Sequence, residues 1–239
     1  DESVILHAER SFLVCRKPVG VECEHELPAL LAEEMKCKAD SLYCVHRLDR
    51  AVGGVMVWAR TPRAAAELSR QVQEKALKKA YFAVCSGIPA PDTGEMRDLL
   101  FKDSVKQKSF AVISPRRGVK EALLDYRVLQ TDVLNDSPVA LVRVTLRTGR
   151  FHQIRCQFAS RGHPLLGDGK YGKLGKDPAR TYQALYSYKL TFRFTAAAAR
   201  LHDGAVELRL AFFHPETHAP LVFEAAPPRV FPWDRFPWR

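Results

Sequence analysis

Four stretches in the second half of the chain alternate apolar residues with polar or basic ones. Successive side chains of a strand point to opposite faces of a sheet, so this period of two predicts antiparallel strands with one buried face. The stretches are "ALLDYRVLQ", "ALVRVTLRTG", "SYKLTFRF" and "AVELRLAFF". We therefore expect this half of the chain to consist mainly of antiparallel β-structure.

The first half contains further strand signals. "SVILHAERSFLVCRKPVG" is typical of two short strands around a turn, closed by Pro18 and Gly20. "GVMVWA" is a β-branched and aromatic run that favours a buried strand, and "AYFAVCSG" also predicts a strand.

Three segments have helical signals. Apolar residues recur at helical spacing in "LPALLAEEMKCK", and Thr61 followed by Pro62 predicts the start of a helix through "RAAAELSRQVQEKA". "FHQIRCQFASRG" predicts a short helix, entered through Gly149 and stopped at Gly162. Its Ile154 and Phe158 would share one stripe, while His152 and Arg155 would share another. The chain is therefore expected to mix α and β structure.

No internal repeat, long linker or convincing domain boundary is found, so residues 1–239 are expected to form a single domain. The ending "APPRVFPWDRFPWR" is rich in proline and aromatic residues and is expected to be irregular, lying over the body of that domain.

The balance of charge favours a polyanionic partner such as nucleic acid. Lys and Arg number 37 against 27 Asp and Glu, a formal net charge of +10. A basic domain that is merely soluble remains the alternative. The basic residues recur in small groups, which suits a folded surface that follows a phosphate backbone. These groups are "KALKKAY", "FKDSVKQK", "SPRRGVK" and "RTGRFHQIR".

Two further features bear on location. No apolar run is long enough to span a membrane, and the polar start lacks the order of a secretory signal, so a cytoplasmic protein is expected. The six cysteines form no C-x-x-C pair, which predicts free thiols in a reducing compartment rather than a zinc ribbon or a redox dithiol.

Several kinds of chemistry lose support by elimination. The chain has no phosphate-binding G-x-x-x-x-G-K-[ST] loop, and "GDGKYG" lacks the strand and helix context of a dinucleotide fingerprint. The G-x-S-x-G elbow and the H-E-x-x-H spacing are missing too. Neither a nucleotide cofactor nor a catalytic metal is therefore expected.

The stretch "VHRLDRAVGG" places Arg47, Asp49 and Arg50 in an otherwise apolar run. A carboxylate beside guanidinium groups stays ionised, and an ionised Asp can attack the anomeric carbon of a sugar. An ordinary ion pair explains the same residues. Gly53 and Gly54 allow the close approach of another backbone or of a ligand, or serve only a tight turn.

These residues and their companions resemble the RluA-type RNA pseudouridine synthases. "HRLDRAVGG" resembles the family's H-R-L-D-[KR]-x-[TS]-S-G motif, and the opening "RKPVG" resembles its N-K-P-x-G turn. Other motifs follow in the family's order, which makes the resemblance far more specific than any one of them. They are "KKAYFAVCSG", "TGRFHQIRCQFASRGHPLLGDGKYG", "QALYSYKLTF" and "FFHPETHAPLVFEAAPP".

The resemblance implies an α+β fold, with a mixed, mainly antiparallel central sheet flanked by helices and two lobes around a basic active-site cleft. It implies an enzyme that cuts the bond between uridine N1 and the ribose, turns the uracil, and rejoins it through C5 without a cofactor or metal. A separate amino-terminal S4 RNA-binding domain, which many relatives carry, is not expected here.

The resemblance also implies residue roles. Asp49 would be the catalytic aspartate, Tyr81 would stack on the uracil, and Arg155 would pair with Asp49 and hold it ionised. Ile154 would line the uracil pocket. Whether the aspartate attacks C1′ or removes the C2′ proton is left open.

Basic residues near these positions are candidates for binding RNA. Arg47 and Arg50 are expected to contact phosphates or to form structural pairs, and His46 to serve the fold or RNA placement. Lys78 and Arg147 fit a backbone-binding rim. The remaining candidates for substrate binding are Lys79, Arg150 and His152.

Some residues depart from the family pattern. Ala51-Val52-Gly53 stands where the family usually has an acidic or neutral residue followed by Thr-Ser, Phe151 replaces a common Thr, and "YS" replaces His-Ala at 186–187. These departures affect substrate fit and loop geometry more than the chemistry.

Two other functions remain open: a non-catalytic protein that binds or folds RNA on the same scaffold, and an enzyme acting on small nucleosides or sugars. Ribosomal and transfer RNA are both possible substrates, and a monomer is the expected state.

Overall fold

The structure, a computed structural model, describes residues 3–50, 52–74, 77–134, 136–172, 185–192, 210–213, 216–217 and 220–223. The described chain divides into two compact units. Residues up to 79 and from 186 to 223 belong to the first unit, and residues 80–185 belong to the second. The expectation of one catalytic domain over residues 1–239 stays a prediction, and the proline-rich ending lies outside the described residues.

The first unit contains a mixed sheet in which β1, β2, β4 and β10 are neighbours in that order. Strand β10 pairs in parallel with β4 and with β11, whereas the pairs β1–β2, β2–β4, β3–β4 and β11–β12 are antiparallel. The strands are β1 (Ile5–Ala8), β2 (Phe12–Lys17), β3 (Tyr43–Cys44), β4 (Gly53–Ala59), β10 (Leu185–Phe192), β11 (Leu210–Phe213) and β12 (Pro220–Phe223).

Strand β4 is the core of this unit. All seven of its residues are buried, so both of its faces are covered. Within the sheet, β2 pairs along one edge of β4, and β3 and β10 pair with opposite ends of the other edge. A strand covered on both faces has a continuous apolar sequence rather than an alternating one, which is why "GVMVWA" was recognisable. The unit also contains helices α1 (Glu26–Met35) and α2 (Pro62–Gln73) and a 3₁₀ turn (Ala39–Ser41).

Local signals account for both helices. The Thr61 hydroxyl oxygen accepts a hydrogen bond from the Ala64 N–H at 3.2 Å, and Pro62 occupies the first turn, as the sequence predicts for α2. Helix α1 buries Leu27 and Leu31, which are one helical turn apart, and ends at Lys36 in the left-handed conformation.

The second unit contains a sheet in the order β5, β9, β8, β6, β7, together with helix α3. The pairs β6–β7, β6–β8 and β8–β9 are antiparallel. Helix α3 packs on this sheet through Cys156, which is buried with Leu100 and Ala122. The elements are β5 (Leu77–Ser86), β6 (Thr93–Asp103), β7 (Lys108–Val112), β8 (Val119–Leu134), β9 (Ser137–Leu146) and α3 (Gln153–Ser160).

Strands β6 and β7 were not predicted from the sequence. The buried residues of β6 include Met96 and Leu100, four positions apart, among charged neighbours. That spacing fits one face of a strand as well as one face of a helix, so it does not identify either. The short strands β3 and β12 were not predicted either. The remaining strands and the helices α1, α2 and α3 overlap the segments predicted for them, and the α+β class with a mainly antiparallel, mixed sheet is confirmed.

All six cysteines are free thiols. Within the described residues, none of the helices has the length and apolar character that crossing a membrane requires.

Candidate active site

The loop between β3 and β4 carries the "HRLDR" residues in an alternating inward and outward pattern. His46 and Leu48 are buried, whereas Arg47, Asp49 and Arg50 are exposed. The Val57 N–H donates to Nε2 of His46 at 3.1 Å, and the Cys23 thiol donates to the Leu48 carbonyl at 3.2 Å. The inward residues therefore attach the loop to the unit and present Asp49 at its surface. His46 serves the fold, one of its two expected roles.

Lys17 lies beneath this loop and was not singled out from the sequence. It is fully buried, and its Nζ donates to the carbonyl oxygens of Pro18, Arg50 and Val52 at 3.0, 3.1 and 2.8 Å. The three N–H donors of an ammonium group match these three acceptors. Because two of the acceptors lie one and three residues after Asp49, Lys17 fixes the backbone on the carboxyl side of the aspartate.

Burial lowers the pKa of Lys17 to about 8, while the nearby negative charge of Asp49 acts in the opposite direction. The same attraction favours the ionised form of the aspartate. The signal that could have identified Lys17 is its place in "RKPVG", where the resemblance was noted but no role was assigned.

Arg47 and Arg50 bind carboxylates of the segment that leads into α1. Arg47 pairs with Glu24, and Nη2 of Arg50 pairs with Glu26 at 2.9 Å. Nε of Arg50 also donates to the Gly20 carbonyl at 2.7 Å. Of the two expected roles, structural pairing is therefore the one observed. Both guanidinium groups are largely exposed, so each pair is worth only about 0–1 kcal/mol and can exchange for another anion.

Gly53 and Gly54 begin strand β4 rather than forming a tight turn. Gly54 is paired with Lys17 of β2 on one side and with Ser187 of β10 on the other, and its φ is +138°. Glycine suits this position because that φ is rare for residues with a side chain. Of the explanations given for the two glycines, the close approach of neighbouring strands is therefore the one observed.

In the second unit, α3 presents Arg155 to a carboxylate. Arg155 is 9% exposed, and its Nε and Nη2 donate to the two oxygens of Asp168 at 2.7 and 2.8 Å. The backbone N–H groups of Lys170 and Tyr171 also donate to Asp168. The Tyr171 ring lies 5.0 Å from the guanidinium carbon. Asp168 was given no role from the sequence, although "GDGKYG" lies in a segment that resembles the family; the pairing of Arg155 with Asp49 stays a prediction.

His152 starts α3 in the left-handed conformation, with φ of +51°. Its ring stacks on Phe151 with centroids 3.8 Å apart, and its Nδ1 lies 3.1 Å from the Tyr171 hydroxyl. Burial, together with the positive charges of Arg155, Lys170 and Lys102, lowers the pKa of His152 to about 4. The imidazole is therefore neutral at neutral pH, held among aromatic rings and cations.

The turn before α3 is held by Gln153. Its Oε1 accepts from the Arg150 N–H at 2.9 Å and from the Thr148 hydroxyl at 2.8 Å, while its Nε2 donates to the Leu123 carbonyl at 3.1 Å. The Arg150 side chain donates through Nε to the Glu121 carbonyl at 2.8 Å. This network places Arg150 beside the start of the helix.

Other predicted residues of this unit are also positioned by the sheet and the helix. Ile154 is buried on α3, and Tyr81 is buried on β5 beside Phe82. Arg147 donates to both oxygens of Asp125 and to Glu95, so its expected role in an RNA-binding rim stays a prediction. The side chains of Lys78 and Lys79 lie outside the described part of the structure.

A family model described as RNA pseudouridylate synthase matches residues 11–160, which is more than half of the chain. The chain belongs to the RNA pseudouridylate synthase family, and the predicted membership is confirmed.

Relatives agree with this assignment. The chain is 34% identical over 188 residues to an uncharacterized RNA pseudouridine synthase of Aquifex aeolicus, covering 78% of this chain and 54% of that protein. It is 34% identical over 185 residues to the ribosomal large subunit pseudouridine synthase D of Zymomonas mobilis, covering 77% of this chain and 52% of that protein. The chain thus spans about half the length of these relatives.

A solved structure confirms the fold. Human RNA pseudouridylate synthase domain containing 1 superimposes with a TM-score of 0.74 at 22% sequence identity, covering 96% of this chain and 87% of that chain. The expected pseudouridine synthase fold is therefore the fold of this protein.

Proposed function

We propose that this chain isomerises uridine in structured RNA to pseudouridine. The N1–C1′ bond breaks, the uracil turns, and a C5–C1′ bond forms; C5 gives up a proton and N1 takes one up. Atoms and electrons balance without a co-reactant, so the proposal includes no cofactor or metal. The observation that carries it is that the family match over residues 11–160 contains Asp49 on an exposed loop fixed by a buried lysine.

Asp49 supplies the catalytic carboxylate in this proposal. Its exposure suits contact with a substrate, and the positive charge of Lys17 favours its ionised form. An ionised carboxylate can either attack C1′ to form an ester or remove the C2′ proton to form a glycal. Both routes need the carboxylate in the same place, so the proposal holds for either.

The second unit supplies the remaining groups. Tyr81 stacks on the uracil and replaces the stacking that the base loses when it leaves the RNA. Ile154 lines the uracil pocket, and Arg155 provides the positive charge that pairs with the catalytic carboxylate. The bidentate contact with Asp168 supports this role, since it fixes the direction of the guanidinium plane.

The substrate in this proposal is ribosomal or transfer RNA. A relative named for the large ribosomal subunit favours ribosomal RNA. We assign contacts with the RNA to basic residues near Asp49 and Arg155, and the reducing cytoplasm, which suits six free thiols, as the compartment. The proposed contact residues are Arg47, Arg50, Lys79, Arg150 and His152.

The test is pseudouridine mapping in cells with and without the gene for this chain. A site that disappears should return with the wild type and not with Asp49→Ala. Asp40→Ala is the matched control, because Asp40 is an exposed aspartate of the same unit. Loss of catalysis from a general acid, base or nucleophile is expected to be at least about 10²-fold to 10⁴-fold.

Two results would favour the other functions. If Asp49→Ala restores the site, the chain acts on RNA without catalysing the isomerisation. If the purified chain converts free uridine at a rate that does not depend on salt, the substrate is a small molecule, because RNA binding through phosphates weakens steeply with salt.

A further inference from the structure

The β6–β7 hairpin and the segment after Asp168 bring four lysines together: Lys102, Lys106, Lys108 and Lys170, here called the hairpin lysine surface. Within the described residues, none of these four ammonium groups is paired with a carboxylate. In contrast, Arg97 of β6 and Arg147 after β9 both bind carboxylates. The hairpin lysine surface therefore carries positive charge that no carboxylate of the described residues neutralises.

The one carboxylate in the hairpin turn has another use. Oδ1 of Asp103 accepts from the backbone N–H groups of Val105 and Lys106 at 3.0 and 2.9 Å. It stabilises the turn through the backbone and makes no ion pair with the lysines.

Hydrogen bonds fix the hairpin to the site around Arg155. Lys108 Nζ donates to the Lys170 carbonyl at 2.7 Å, and Lys170 Nζ donates to the Gln107 carbonyl at 2.9 Å. The Ser109 N–H donates to the Tyr171 hydroxyl at 2.7 Å, and the Ser109 hydroxyl donates to the Phe151 carbonyl at 2.5 Å. The surface is therefore preorganised, which lowers the entropic cost of binding.

Aromatic rings lie between the lysines. Lys102 Nζ is 4.5 Å from the centroid of Phe151, and Lys108 Nζ is 4.8 Å from that of Tyr171. Both rings contact His152, whose lowered pKa reflects the positive charges of Lys102, Lys170 and Arg155 in addition to burial. A continuous positive surface thus leads from the hairpin tip to His152.

We propose that the hairpin lysine surface binds phosphate groups of the RNA backbone and leads the strand towards His152 and Arg155. This inference rests on the proposed function for the identity of the ligand. Ammonium groups on long side chains suit phosphates because they act as point charges without a required plane. The interleaved rings favour RNA over an acidic protein, because they also offer contact to bases.

The test measures the affinity of the full chain for a short RNA stem-loop transcribed in vitro, over a series of NaCl concentrations. The test variant is Lys102→Gln with Lys106→Gln, because both lysines are exposed and neither binds a backbone carbonyl. Each lost phosphate contact lowers the salt slope by about 1, so the slope should fall by about 2 and binding should weaken by roughly 10-fold to 100-fold at low salt.

Two matched variants control for net charge and for folding. Arg10→Gln with Lys38→Gln removes two exposed cations from the first unit and should leave the slope unchanged. Lys102→Arg with Lys106→Arg keeps the charges and should bind like the wild type. A test variant that binds like the wild type would overturn the proposal, and so would a control pair that loses as much affinity.

Pseudouridine formation separates this inference from the proposed function. With RNA above saturation, the test variant should keep the wild-type kcat and show a raised KM. If the wild type modifies no RNA while the test variant still loses its salt slope, the proposed activity is wrong and the surface stands. If Asp49→Ala abolishes the product while the test variant binds normally, the activity stands and the surface is wrong.

Discussion

The Asp49 loop and the Arg155 helix position their charged groups in opposite ways. The loop presents an exposed carboxylate, and buried Lys17 holds it through backbone carbonyls. The helix presents a buried guanidinium, and buried Asp168 binds that side chain directly. A group held through its backbone can still contact a substrate with its whole side chain, whereas a group held through its side chain has a fixed direction.

The largest effect should come from breaking the Arg155–Asp168 pair. Asp168→Ala leaves a buried guanidinium without its counter-charge, which typically costs about 3–5 kcal/mol. We expect the free energy of unfolding, measured by urea denaturation, to fall by that amount. The side chain of Asp168 is fully buried and that of Arg155 is 11% exposed, so solvent can compensate little of the loss.

A double variant tests the cause. Arg155→Met with Asp168→Leu replaces both charges by apolar groups and should be more stable than Asp168→Ala alone, because no uncompensated charge remains. If Asp168→Ala costs less than about 1 kcal/mol, as the loss of an exposed ion pair would, the contact with Asp168 does not hold the Arg155 side chain in place. The proposed difference between the helix and the Asp49 loop would then be wrong.

A smaller effect is expected at the loop. Lys17→Met keeps most of the side-chain length but leaves the Pro18, Arg50 and Val52 carbonyls without their donor. Unsatisfied buried groups cost about 1–3 kcal/mol. Methionine avoids the cost of burying a charged group, which offsets part of this loss, so we expect the free energy of unfolding to fall by about 2 kcal/mol. Lys38→Met, at an exposed lysine, should stay within about 0.5 kcal/mol of the wild type.

The effect of Lys17 should also depend on pH. Its pKa of about 8 in the folded protein lies below the unfolded value, so folding releases a proton above pH 8 and stability rises with pH. The stability difference between the wild type and Lys17→Met should therefore be greater at pH 9 than at pH 7, by about 1 kcal/mol. A difference that stays constant between these pH values would show that Lys17 is not desolvated.

The same contrast explains what the sequence predicted and what it did not. Asp49 and Arg155 were found because charged residues stood out in motifs with a defined order. Lys17 and Asp168 were missed because their roles depend on contacts between distant positions: Lys17 binds Arg50 and Val52, which are 33 and 35 residues away, and Asp168 binds Arg155, 13 residues away. Burial of a charged residue is a tertiary property that a local pattern does not contain.

Secondary structure was likewise predictable only where a local sequence pattern defined it. Strand β4 and helices α1 and α2 were predictable because each has a long apolar run or a helical period with a start signal. The β6–β7 hairpin was not, because it is an edge element whose outer residues are charged and whose buried residues are few. The proposed RNA surface lies mainly on this hairpin, whose basic group "FKDSVKQK" was recognised in the sequence although its strands were not.

The smallest effect concerns the exclusion of water from the N-terminal end of α3. The pKa of His152 is about 4 in the folded protein, below its value of about 6.5 in the unfolded chain. The stability associated with the neutral imidazole is therefore fully present above pH 6.5 and is lost as the pH falls towards 4. We expect the free energy of unfolding of the wild type to fall by about 1 kcal/mol between pH 7 and pH 5.5 relative to His152→Gln, since glutamine keeps a polar group without this titration.

His25→Gln is the control, because His25 is exposed in the first unit. Its stability should follow the wild type over the same pH range. If the wild type and His152→Gln instead lose stability in parallel, the imidazole is charged as readily in the folded protein as in the unfolded one. Water would then reach the start of α3, and the helix would be as wet as the Asp49 loop, which would remove the difference between the two regions.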